Sequence, residues 1–209
     1  MTKEVANALR GYFEELYYLN RNLLTLCGLD IEDNAGQYER IAQELIQEVP
    51  RLVPYTYNKK TKGYEIIDGD GLIEFSEQIP FIKQDYNNLL QNHLDYLTKI
   101  KIIRNKLEHK MHAVRLIGGG SSGGSVAFDF TYSINDESID IASYEIIRFI
   151  KDLNNIFVKI QDLLKQYATE HGKGYYAYYR RMTRYKFSDF NKIYDSNVLF
   201  EVGKALYPF

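Results

Sequence analysis

The chain has no tryptophan, one cysteine and no long apolar run. A lone cysteine, Cys27, excludes an internal disulfide framework and fits a reducing compartment. It continues the apolar face of its helix with no Cys or His cluster around it, and so reads as a core thiol. No stretch approaches the roughly 18 consecutive apolar residues that a membrane span needs. The opening "MTKEVANALRGYFEELYYLN" is amphipathic and carries acids, unlike a secretory or transit signal. A soluble cytoplasmic protein without a membrane partner is expected. An excess of either charge is missing too: 26 Lys and Arg stand against 28 Asp and Glu. Bulk electrostatics therefore draw in no polyanion, and any such partner must be met by a local patch.

What is present points to helices. With 209 residues, 45% of them hydrophobic, the chain can bury one good core. Val5, Leu9, Tyr12, Leu16, Leu19, Leu23 and Leu26 recur by fours and threes. Ile146, Ile150, Leu153, Phe157, Ile160, Leu164 and Tyr167 do the same, and so do Tyr86, Leu90, His93, Leu97, Ile100, Arg104, Leu107, Met111 and Val114. Such narrow stripes belong to long helices packed side by side at shallow angles. A shorter helix is expected over Gln37 to Val49, ended by Pro50, and Gly172 is a plausible stop for the last long helix. The fold class is mainly α: a four- or five-helix up-down bundle.

Two stretches break the helical period. "YTYNKKTKGYEII", from Tyr55 to Ile67, reads as a small hairpin or loop. Around a Gly/Ser run, Val126, Phe128, Phe130 and Tyr132 alternate as one face of a strand, which predicts a β-hairpin inserted over about 113–135 with its tip at Gly118 to Gly124. The bundle is expected over 1–172. Residues 173–209 form a tyrosine-rich, basic C-terminal extension packed on it. Tyr175, Tyr176, Tyr178, Tyr179 and Tyr185 there either stack on bases, while Arg180, Arg181 and Arg184 hold phosphates, or pack inward with the arginines solvated. Packing is the favoured reading, because helical aromatics more often face a core.

Three motifs fail on context. Gly118, Gly120 and Gly123 satisfy a dinucleotide-binding spacing, but a strand follows where the fingerprint needs a helix N-terminus. Asp68 and Asp70 hint at a calcium loop, yet Leu72 and Ile79 occupy positions where oxygen ligands belong. His93 lies on an apolar stripe without ligand-type spacing, and a hydrogen-bonded core histidine is expected. Neither a metal nor an organic cofactor is called for.

"KIIRNKLEHK", Lys101 to Lys110, is different. Arg104 takes a seam position between Ile100 and Leu107, where an unpaired buried guanidinium would cost several kcal/mol. His109 lies about 140° around a regular helix from it. Asn105 is one turn before His109 and can orient its imidazole, and His112 can join them. Lys99, Lys101, Lys106, Lys110 and Arg115 surround the motif, with Glu108 as the acid among them. Histidine moves protons near neutral pH, and arginine holds a phosphate and its developing charge. Because the side chains diverge, two copies facing each other would assemble a better site than one. Spacing alone leaves a second reading open: an arginine snorkelling from a bundle and a surface histidine.

Arg104-Asn105-Lys106-Leu107-Glu108-His109 resembles the signature of the HEPN superfamily (higher eukaryotes and prokaryotes nucleotide-binding domains). That signature is an arginine, usually followed by a polar residue, and a histidine a few residues on, near the end of a long bundle helix. The resemblance covers Val5 to Tyr167. It implies a homodimer with a composite site and metal-independent endoribonuclease activity. The ribose 2′-hydroxyl attacks phosphorus, leaving a 2′,3′-cyclic phosphate and a 5′-hydroxyl. It implies His109 as general acid or base, Arg104 on the scissile phosphate and Asn105 as the group that positions them. Lys101, Lys106, Lys110 and His112 are the expected RNA-binding residues. Relatives act in toxin–antitoxin and phage-defence systems, so an antitoxin or other regulatory protein is an expected partner. A toxin subgroup carries a tyrosine two residues after the histidine. Met111 stands there, so control through that tyrosine is not expected. The alternative is a non-catalytic module of the same fold that binds RNA, a nucleotide or a partner protein.

Overall fold

The computed structural model describes residues 3–28, 35–53, 55–58, 60, 63–66, 80–108, 115–116, 130–134, 137–171, 180–196 and 202. In chain order these form α1 (Lys3–Gly28), α2 (Ala35–Leu52), β1 (Tyr55–Asn58), β2 (Gly63–Ile66), α3 (Pro80–Asn92), α4 (Leu94–Glu108), β3 (Arg115–Leu116), β4 (Phe130–Ile134), β5 (Glu137–Ile141), α5 (Ser143–His171) and α6 (Phe187–Tyr194). The protein is mainly helical, as the periodicity predicts. Among the described residues no helix is long and apolar enough to cross a membrane.

The stripes become the core. On α1, Leu9, Phe13, Leu16, Leu19, Leu23 and Leu26 are buried; on α5, Ile146, Ile150, Leu153, Phe157, Ile160 and Leu164 are. α1 packs against α2 and α5, and α2 against α4. α2 runs on through Pro50 to Leu52, beyond the expected stop. Proline forfeits one helical donor, and near the end of a helix that loss is small. The ladder continues past it, with Val53 N–H donating to the Val49 carbonyl at 3.1 Å. Pro54 then disfavours helical backbone at Val53 and ends the run. α5 stops at His171, next to Gly172, as expected.

The stripe from Tyr86 onward is divided. α3 and α4 meet at a turn on His93, although His93 N–H to the Leu89 carbonyl (3.1 Å) and Leu97 N–H to the His93 carbonyl (2.9 Å) carry the ladder across. The interruption falls on the first polar member of the stripe, His93. Its ring Nε2 lies 2.7 Å from Asp152 Oδ2 on α5, and the ring stands edge-on to Phe149 at 5.4 Å. His93 is thus the hydrogen-bonded core histidine predicted from its spacing.

β1 and β2 pair antiparallel, Tyr55 opposite Ile66 and Asn58 opposite Gly63, which makes the 55–67 segment a hairpin. The insertion holds more than a hairpin. β3 pairs with β4 as expected, and β5 adds a third strand in the order β3-β4-β5. Phe130 pairs with Ile141 and Tyr132 with Ile139, so period two sends Phe130, Tyr132 and Ile141 into the core while Asp140 stays exposed. This sheet packs on α4. Val126, Phe128 and the glycine run lie outside the described residues, as do Asp68 and Asp70.

The C-terminal segment completes the core. Met182, Tyr185, Phe187 and Tyr194 are buried in the same apolar cluster as α1 and α5. Phe187 lies 5.6 Å from the ring of Phe13 and 5.7 Å from that of Phe157. Tyr185 turns inward while Arg180, Arg181 and Arg184 are exposed, which matches the packed reading. Tyr175, Tyr176, Tyr178 and Tyr179 lie outside the described residues.

Candidate functional site on the Arg104 helix

α4 is positioned before any chemistry enters. Tyr96, Leu97, Ile100 and Ile103 are buried against α2 and the three-stranded sheet. At about 100° per residue, Arg104 falls on the same arc, between Ile100 and Leu97. The seam position read from the sequence is therefore real. Its side chain is half-buried rather than buried, because it lies in the last turns of the helix. Hydrocarbon stem and charged head can then sit in different surroundings.

Lys101, one turn before Arg104, is half-buried, and Asn105, one turn after Lys101, is exposed. Lys101 and Asn105 thus share a solvent-side row with Arg104 at its inner edge. Lys106 belongs to the helix, but its side chain lies outside the described residues. His109, Lys110 and His112 lie outside them altogether. Three of the seven site residues, Arg104, Asn105 and Lys101, are described and brought together on two turns of one helix.

One flanking cation has another task. Lys99 Nζ lies 3.0 Å from both carboxylate oxygens of Glu145 in the first turn of α5. Glu145 Oε2 also accepts the Ala142 N–H at 3.0 Å, as the third helical residue of a capping box does. That bridge ties the middle of α4 to the start of α5. Lys99 is accordingly a strut, not part of the cationic surround. Sequence reading missed it because Glu145 is distant along the chain.

The sequence reading also passed over a polar cluster. Asn20 and Asn154 are buried and exchange reciprocal amide bonds of 2.8 Å between α1 and α5. Asn154 Nδ2 also donates to Asn191 Oδ1 at 2.8 Å, and the Tyr194 hydroxyl donates to Asn20 Oδ1 at 3.0 Å. Asn20 Nδ2 closes the set on the Leu16 carbonyl at 2.8 Å. A signal did exist: Asn20 and Asn154 stand at stripe-type spacing, four after Leu16 and Ile150 and three before Leu23 and Phe157. The cluster is satisfied from within and buried. It builds structure and offers nothing to a substrate.

Titration supports that division. Burial pushes the Cys27 thiol up to about 12, so it stays a protonated core group near neutral pH. Burial likewise raises Tyr86 and Tyr194 well above the ordinary phenol range. Among the described residues no three His, Cys, Asp or Glu side chains gather as a metal site would require.

The geometry defines a helical bundle whose fourth helix ends in a cationic, amide-bearing turn. Comparison with protein-family models, with curated proteins and with solved structures gives no match to this chain.

Proposed function

We propose that the chain is a cytoplasmic, metal-independent endoribonuclease of the HEPN kind, working as a homodimer whose paired α4 ends meet at one phosphate. The observation that carries this is Arg104: a half-buried arginine on an arc otherwise filled by Leu97, Ile100 and Ile103, with Lys101 and Asn105 beside it. A planar guanidinium can pair two N–H donors with two oxygens of a phosphate, and Lys101 and Asn105 add donors on the same side of the helix.

In the proposed reaction the RNA 2′-oxygen attacks the neighbouring phosphorus and the bond from phosphorus to the 5′-oxygen breaks. The His109 of one protomer takes the 2′-proton as general base, and the imidazolium so formed returns it to the departing 5′-oxygen. Arg104 stabilises charge on the non-bridging oxygens. Asn105 orients the imidazole, and Lys101, Lys106, Lys110 and His112 hold flanking phosphates. A neutralising or regulatory protein, as in toxin–antitoxin and phage-defence systems, is part of the same proposal.

The test is single-stranded RNA incubated with the purified chain in excess chelator. Cleavage to cyclic-phosphate ends is expected, with a loss of at least about a hundredfold in His109→Ala. An RNA that is bound tightly and never cut would instead identify a non-catalytic binding module.

A further inference from the structure

We propose that the outer face of α1 is a docking subsite for single-stranded RNA, one nucleobase stacking on Tyr18 and a neighbouring phosphate held by Arg184 and Arg10. The proposal rests on RNA being the ligand, but it uses a surface separate from α4.

Tyr18 is 60% exposed, one of three large hydrophobic side chains so placed among the described residues. It is nevertheless held. Its ring stands across that of Tyr17 at 5.7 Å and 70°. Tyr17 in turn packs on Tyr185 at 5.2 Å and on Phe190 at 5.8 Å. Tyr185 stacks on the fully buried Phe187 at 6.2 Å and 26°. The row of rings runs from core to solvent, and Tyr18 is its wet end. An aromatic platform ordered in advance binds a flat partner with little further loss of freedom.

Cations flank the platform. The Arg184 guanidinium lies 4.7 Å over the Tyr185 ring and hydrogen-bonds the Tyr185 hydroxyl. Its Nη2 is 3.1 Å from Glu14 Oε1, the oxygen that also accepts Arg10 Nε at 2.9 Å. The bond from Arg10, ahead of its charge and that of Arg184, holds the Glu14 carboxyl below its ordinary range. Two guanidiniums therefore share one carboxylate, which orients them and leaves N–H donors on both. Arg21, one turn beyond Tyr18, is exposed, as are Arg180 and Arg181 on the turn that carries Arg184. Glu15, three residues before Tyr18 on α1, is a second acid and is half-buried. Net positive charge beside an open π-face suits a polyanion that carries unpaired bases. A duplex would offer the phosphates without a free base face.

The experiment is fluorescence anisotropy of labelled single-stranded RNA with the full chain carrying His109→Ala, which keeps the RNA intact. Adding Tyr18→Ala is expected to weaken binding about tenfold, while Tyr18→Phe, which keeps the π-face, binds as the parent does. Arg184→Ala is expected to lower the slope of log affinity against log salt by about 0.7. Circular dichroism should show both alanine variants folded. Undiminished binding in folded Tyr18→Ala, or equal losses in the Phe and Ala variants, would overturn the stacking site. If binding needs Arg104 and ignores Tyr18, this subsite fails and the proposed function stands. If Tyr18-dependent binding persists and the wild-type chain never cuts RNA, the catalytic reading fails and the subsite stands. Capture on anionic lipid vesicles, with no RNA bound, would overturn both.

Discussion

An asparagine in a helix interior is a poor helix former, because its side chain competes for nearby backbone groups. Asn20 and Asn154 stand mid-helix and buried, and their amides close on each other and on Asn191 and Tyr194. Hydrogen bonds of this sort add little when complete and cost much when broken. Asn154→Ala should lower unfolding free energy by about 3 kcal/mol, combining a cavity with the loss of the buried hydrogen bonds to Asn20 and Asn191. Asn154→Leu restores the bulk and still removes those hydrogen bonds, so its loss should be comparable. Urea denaturation of both variants separates the two contributions. A leucine variant as stable as the parent would make packing, not hydrogen bonding, the function of the cluster. His93 and Arg104 were the polar residues that sequence reading noticed, since each interrupts a stripe. Asn20 and Asn154 stand beside unbroken stripes, and their partners lie on other helices, where local spacing cannot name them.

Elements were legible where burial follows a period. The stripes of α1 and α5 gave the helices and most of their buried faces, because each helix turns one arc to a single core. β5 was missed because Glu137 to Ile141, "ESIDI", alternates weakly and becomes a strand only by pairing with β4. α6 was read as part of an appendage because "KFSDFNKIY" is short and mostly polar. Its buried residues are Phe187, which meets Phe13 and Phe157, and Tyr194, which meets Asn20. A helix of 8 residues has little stability alone, so tertiary contact must supply it. Phe187→Ala is accordingly expected to cost about 3–5 kcal/mol, as for any buried aromatic. Chemical denaturation should show the midpoint falling with the slope kept. Loss confined to the C-terminal segment, with the bundle midpoint unchanged, would instead make α6 an appendage. The Lys99–Glu145 bridge shows the same limit for the site: the motif was local and readable, whereas the strut that fixes its helix joins distant parts of the chain.

At the scale of the whole molecule, near-neutral charge and a local cationic turn demand different things of a polyanion. Twenty-six basic against 28 acidic residues give no long-range pull, so a polyanion would have to be held by short-range contacts at particular places. The proposals put one such place at Arg104 on α4 and the other on the Tyr18 face of α1. On a regular helix His109 diverges from Arg104 by about 140°, so one protomer alone would hardly bring both to one phosphate. If two α4 ends share the substrate, each protomer need supply only one working member of the pair. Mixing the inactive variants Arg104→Ala and His109→Ala should then restore cleavage through heterodimers, which keep one arginine and one histidine at the shared phosphate. Recovery should appear on co-refolding or after slow exchange of subunits, and should vanish on dilution below the dimer dissociation constant. A mixture that stays inert, while mass measurement shows heterodimers present, would place Arg104 and His109 in separate roles. The charge on the apolar arc of α4 would then be structural.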